Sequence, residues 1–157
     1  MNEKSIMPTK SAKVTLRKLT GKTVRTICNL SVSDYQKQFV APNAISIAQA
    51  YFCKYAWFRA IYAGGIPVGF LMLYDNPKKP EYYLWRFMID DRYQKMGFGY
   101  KAMKLVIKYV KTRPNAKQMF TSVVQADGGP QAFYEKLGFV LTGKYDAGEA
   151  VMKLKLQ

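Results

Sequence analysis

The chain has 157 residues, 49% hydrophobic and 15% aromatic, which is enough for one domain with a sizeable core and too few for two ordinary ones. With 25 Lys plus Arg against 10 Asp plus Glu, its formal charge of +15 sets up a field that attracts polyanions: nucleic acid, a membrane surface or a phosphorylated cofactor. Two cysteines and no histidine exclude the common zinc spacings and every nucleophile that relies on imidazole, so no metal site is expected.

In chain order, residues 1–11 read as a flexible, charged tail without the apolar run of a signal peptide, and a domain is expected over 12–157. A cytoplasmic location with reduced thiols follows. Residues 12–19 alternate apolar and polar as a half-buried strand does, and 20–30 show helical spacing at Val24, Ile27 and Leu30. A second helix is expected over 43–54, then a strand over 57–63, a glycine turn, a strand over 66–74 and a polar loop. The apolar run 60–74 is too short for a membrane span and is broken by Gly64, Gly65 and Pro67, so no membrane partner is expected. Residues 82–89, "YYLWRFMI", read as a central strand buried on both faces.

A glycine loop follows, "QKMGFG" at 94–99, and leads into a helix that stops before Pro114. Met103, Val106, Ile107 and Val110 form one face of that helix, with Lys101, Lys104, Lys108 and Lys111 largely opposite. Glycines at a helix entrance suggest that bare backbone is wanted for an anion, because the first helical amides lack partners and the macrodipole is positive there. Residues 97–102 formally fit G-x-G-x-x-A, but a dinucleotide fold places this turn in its first unit, and four or five elements precede it here. A strand over 118–124, a short helix within 128–139 opened by Pro130 and closed by Gly138, and a terminal hairpin over 139–155 complete the chain.

Gln94-x-x-Gly97-x-Gly99 after a strand resembles the acetyl-CoA pyrophosphate loop of the GNAT superfamily of N-acyltransferases, and "FYEKLGF" at 133–139 is similar to that family's later signature. The two motifs stand in the family's order, and the element order matches over about 12–155, with "RFMIDDRYQKMGFG" most like the bacterial spermine/spermidine N-acetyltransferase branch. The resemblance implies an α/β domain with a mixed, mostly antiparallel twisted sheet flanked by helices. It further implies an enzyme that passes acetyl from acetyl-CoA to a primary amine by direct attack, with no metal. A polyamine is the first acceptor to consider; an aminoglycoside-like amine or a protein amine stays open, as does a homodimer. Nucleic acid is not expected as a partner, since charge is its sole support and no basic helix with interleaved base-reading residues stands out.

By the same resemblance, the backbone of Gln94, Lys95, Met96, Gly97, Phe98, Gly99 and Tyr100 would hold the pyrophosphate, and Met88 and Ile89 would pair with the pantetheine arm. Asp127 and Tyr134 would touch the cofactor, with Tyr134 protonating the leaving thiolate. The attacking amine must lose a proton at a cost of roughly 4–5 kcal/mol at pH 7, so a base is expected. Simple alternation places Glu81, Tyr83, Trp85 and Phe87 on one face of the strand and turns Arg86 to the other. Tyr83 and Trp85 are then candidate acceptor contacts and Glu81 the candidate base, because Trp85 stands where the polyamine branch usually has a carboxylate. Asp75 and Asp146 read as turn residues.

Overall fold

The computed structural model describes residues 6–157. Seven strands form one sheet in the order β1-β2-β3-β4-β5-β7-β6, antiparallel throughout except between β4 and β5. They are β1 (Val14–Arg17), β2 (Ala56–Ala63), β3 (Ile66–Asn76), β4 (Glu81–Ile89), β5 (Gln118–Val123), β6 (Val140–Asp146) and β7 (Glu149–Lys155). Four α-helices cover its faces: α1 (Val24–Asn29), α2 (Asn43–Tyr51), α3 (Phe98–Lys111) and α4 (Gln131–Lys136). This is the mixed, mostly antiparallel sheet that the sequence led us to expect.

Of the expected tail, the first five residues lie outside the described ones. Packing begins before residue 12: Pro8 is buried, and the Lys101 ammonium donates to the Lys10 carbonyl at 2.8 Å. Other elements sit within a few residues of their expected bounds, the largest difference being α1, which spans only Val24–Asn29.

Each face of the sheet carries its own core. On one face, Ala102, Met103, Val106 and Val110 of α3 pack with Leu71, Leu73, Leu84 and Met119. On the other, Ile27 of α1 and Ala50 of α2 cover Phe70, Met72 and Met88. The 14-residue α3 keeps its lysines in solvent because its apolar residues recur at helical spacing. At its far end Asp75, buried at the end of β3, accepts hydrogen bonds from Tyr109 (2.7 Å) and Arg113 (3.0 Å), so this carboxylate anchors α3 to the sheet.

The strand β4 departs from simple alternation. Met72 pairs with Arg86, but Leu73 pairs with Leu84, so Trp85 is an extra residue opposite no partner, a β-bulge. Residues opposite one another in an antiparallel pair share a face, and the extra residue swaps the faces of everything after it. Arg86 therefore lies on the α1/α2 face with Met72, and Phe87 turns to the α3/α4 face with Leu71, which reverses the expectation for both side chains.

Candidate active site

The sheet opens where its single parallel pair gives out. Strands β4 and β5 are in register only at Tyr83 with Phe120 and Leu84 with Thr121. Beyond that point 85–89 and 122–123 diverge, and the backbone on the β5 side of β4 has no ladder partner while β3 still holds its other edge. A cavity of about 590 Å³ fills this opening and is walled by Phe87, Met88, Ile89, Ser122, Phe133 and Tyr134.

The mouth of the cavity is the glycine loop. Lys95 and Gly97 both adopt left-handed backbone (φ 62° and 84°), which folds the loop tightly before α3 begins at Phe98. The first helical bond there runs from the Lys101 amide to the Gly97 carbonyl (3.2 Å), so the amides of Phe98, Gly99 and Tyr100 precede it. The two glycines meet different demands. At Gly97 a Cβ would meet open space, and the positive φ is what calls for glycine. At Gly99, the second residue of α3, a Cβ would point at Ile89 and the Phe133 ring at 3.5 Å, toward the cavity wall.

Residues 31–40 roof the cavity through Val32, Gln36, Phe39 and Val40. Polar contacts pin this roof. Asp90 accepts from the Ser31 amide (2.9 Å) and from Arg92 Nε (2.8 Å), and the Gln94 side chain pairs with Gln36 and donates to the Ile89 carbonyl (2.9 Å). Burial alone would raise the Asp90 carboxyl, but the Arg92 guanidinium and the amides of Ser31 and Arg92 outweigh it and hold the group below its ordinary range. The Tyr35 hydroxyl donates to the Asp127 carbonyl, which ties the roof to the loop before α4.

Tyr134 is fixed by an aromatic chain. Phe87 stacks on Phe133 (5.6 Å between centroids), and Tyr134 meets Phe133 and Phe139 edge to face at 5.2 and 5.5 Å. The swap of Phe87 at the bulge makes the first of these contacts. Burial pushes the Tyr134 hydroxyl above its ordinary value, the charge of Glu149 adds to this, and the Thr121 side chain opposes it.

A second cavity of about 550 Å³ lies around the start of β4, lined by Cys53, Tyr74, Glu81, Tyr82, Tyr83, Trp85, Phe120 and Asp146. It joins the expected acceptor contacts Tyr83 and Trp85 and the expected base Glu81 with Asp146, which lies at the β6–β7 turn and also faces this cavity. Glu81 is exposed, four residues before Trp85, or about 13 Å along an extended strand. Tyr83 has a buried hydroxyl without a well-formed hydrogen bond among the described residues; burial raises its pKa, and the nearby Ser122 side chain opposes this.

Of the residues singled out for the cofactor, Met88, Ile89, Gln94, Lys95, Gly97, Phe98, Gly99, Tyr100 and Tyr134 line the first cavity. Met96 does not; it packs against the core. Asp127 is exposed, outside the lining, and uses its carbonyl on Tyr35; Gly128, Gly129 and Pro130 form that wall instead. Sequence reasoning passed over Ser122 and the whole roof, which carry no local signature, and gave no role to Phe133 although it opens "FYEKLGF".

Unladdered strand backbone, a bare helix entrance and the basic Lys95 and Lys136 on the wall suit an extended amide-bearing chain that ends in phosphates. Fold and cleft together are those of an acyltransferase domain with splayed strands. Residues 24–139 match the model of the acetyltransferase (GNAT) family, and the chain belongs to that family, the acetyl-CoA-dependent N-acetyltransferases. A spermine/spermidine N(1)-acetyltransferase of Bacillus subtilis strain 168 is 29% identical over 150 residues, 91% of this chain and 99% of that protein. Among solved structures, a spermidine N-acetyltransferase from Vibrio cholerae in complex with CoA and spermine is similar in fold (TM-score 0.69, 19% identity, 92% and 96% of the two chains). A PaiA N-acetyltransferase from Thermoplasma acidophilum in complex with coenzyme A is likewise similar (TM-score 0.68, 16% identity, 91% and 99%). No helix among the described residues is long and apolar enough to cross a membrane.

Proposed function

We propose that this enzyme acetylates a terminal primary amine of a polyamine such as spermidine or spermine. The observation that carries the reading is the lining of the second cavity, where the carboxylates of Glu81 and Asp146 stand among Tyr74, Tyr83, Trp85 and Phe120. Aromatic faces and carboxylates together recognise ammonium groups, at about 0.5–2 kcal/mol for each cation over a ring. A chain with two or more ammoniums uses both carboxylates at once, which a monoamine cannot. The name of the Bacillus subtilis relative supports the same acceptor.

In this reading the backbone of 94–100 holds the donor's phosphates, 88–89 pair with its extended arm, and Tyr134 gives a proton to the departing sulfur. A phenol kept neutral by burial remains a proton donor at every working pH. The free thiols Cys28 and Cys53 suit a cytoplasmic enzyme. A homodimer is the assembly we propose, to be checked by sedimentation.

The test compares acceptors. Spermidine should be used with a kcat/KM at least tenfold above that of n-butylamine, kanamycin or an alanyl peptide. Glu81→Gln together with Asp146→Asn should raise KM for spermidine about tenfold or more while leaving n-butylamine unchanged. A preference for kanamycin or the peptide would replace the polyamine reading, and equal effects on both amines would remove the two carboxylates from recognition.

A further inference from the structure

At the bulge, where the two cavities approach, β4 offers no carboxylate: it presents Tyr83, Trp85, Arg86 and Phe87. One is supplied from across the sheet. The Ser122 hydroxyl on β5 donates to Glu149 Oε2 at the start of β7, at 2.7 Å. Ser122 lines the donor cavity, and with its proton given to Glu149 its two lone pairs can serve the neighbouring Tyr83 hydroxyl and one group in that cavity. Glu149 is half-buried, and none of the ion pairs among the described residues involves it; those pairs join Lys37 to Asp34, Arg92 to Asp90 and Arg113 to Asp75.

Three further features converge on this carboxylate. Tyr83, from the acceptor cavity, brings a buried hydroxyl that lies beside Ser122 without a well-formed hydrogen bond, and the buried Arg86 Nε is unpartnered among the described residues. The charge of Glu149 acts on Tyr83 and Arg86 of β4 and on Tyr134 of α4, so it lies within electrostatic reach of both cavities. Asp146 of β6 also acts on Tyr83. The position is held by the short turn between β6 and β7, where Ala147 and Gly148 are both left-handed (φ 48° and 82°) and Asp146 pairs with Glu149.

We propose that Glu149, acting through the Ser122 hydroxyl, is the carboxylate that receives the proton of the acceptor ammonium, in place of the distant Glu81. The inference rests on the reading of the acceptor as a primary amine. The ammonium donates to Ser122 Oγ while Ser122 passes its own proton to Glu149. The freed nitrogen lone pair forms the bond to the acetyl carbonyl carbon, and the C–S bond breaks with its electron pair going to sulfur. Tyr134 protonates that sulfur, and the nitrogen's second surplus proton restores the Tyr134 hydroxyl. Glu149 then releases its proton to solvent, so each turnover yields one amide, one thiol and one proton.

The test is the pH dependence of kcat/KM on spermidine and n-butylamine between about pH 7 and 9, where a simple carboxylate is ionised and an amine of pKa about 10.4 is protonated. Wild type should be nearly flat, since ammonium and carboxylate enter together. Glu149→Gln and Ser122→Ala should lose about 10²-fold at pH 7 and rise about tenfold per pH unit, because only free amine then reacts. Glu149→Asp should restore the flat profile, and acetyl-CoA affinity by calorimetry should stay within twofold in both Glu149 variants. A uniform loss at every pH would mark Glu149 as structural, and a flat profile in Glu149→Gln would overturn the proposal. A wild type that acetylates n-butylamine but favours another amine over spermidine would overturn the polyamine reading alone, and one inactive on both amines would overturn both.

Discussion

In the mechanism proposed above, Tyr134 takes its role from its surroundings. Burial between Phe133 and Phe139 raises its pKa, and a raised phenol pKa means that the proton stays on oxygen to a higher pH than in solution. The rate should accordingly show no fall attributable to Tyr134 ionisation below about pH 10, the ordinary value for the group. Tyr134→Phe should lower kcat about 10²-fold and leave the acetyl-CoA dissociation constant within twofold, because the proton is needed only as sulfur leaves. Steady-state kinetics beside calorimetry checks the split, and equal losses in both quantities would assign the tyrosine to packing. This residue was legible in "FYEKLGF". Its partner Phe87 was not, because the face that a strand residue occupies depends on every residue before it, and a single bulge at Trp85 inverted the reading for Arg86 and Phe87 alike.

At the scale of elements, the cleft depends on how closely β3 supports β4. Gly69 of β3 sits opposite Ile89, and a Cβ there would run into the Met88 carbonyl and stand 2.9 Å from Ile89 Cδ1. Backbone cannot yield as a flexible side-chain tip does, so Gly69→Ala should cost about 1–3 kcal/mol and weaken acetyl-CoA binding as the 88–89 edge shifts. Thermal melts and calorimetry check this; an unchanged melting temperature would mean that β4 moves freely. Gly99→Ala, by contrast, has ordinary contacts and lies within α3, where alanine favours the helix by up to about 1 kcal/mol, so it should leave the melting temperature level or higher. The helices and strands themselves were legible from periodicity, as the buried face of α3 shows residue by residue. The splay of β4 from β5 was not, since it arises from where a parallel ladder stops, and no residue type announces that.

Over the whole molecule, charge is unevenly shared between the two substrates. Lysines dominate the formal +15 and suit a phosphorylated donor, whereas two of only ten carboxylates, Glu81 and Asp146, line the second cavity and a third, Glu149, bonds Ser122 on the wall of the first. Asp146 alone of these was hidden in the sequence, because it reads as a turn residue and only the fold brings it into the lining of the cavity that Tyr83 and Trp85 share. The most direct test of the account is the release of CoA thiol from acetyl-CoA by the wild-type enzyme with spermidine as acceptor, the product being identified by mass spectrometry. The account predicts release that requires the amine and matches it mole for mole in spermidine acetylated once at a terminal nitrogen; thiol release that is independent of the amine, or no acetylated spermidine, would contradict it.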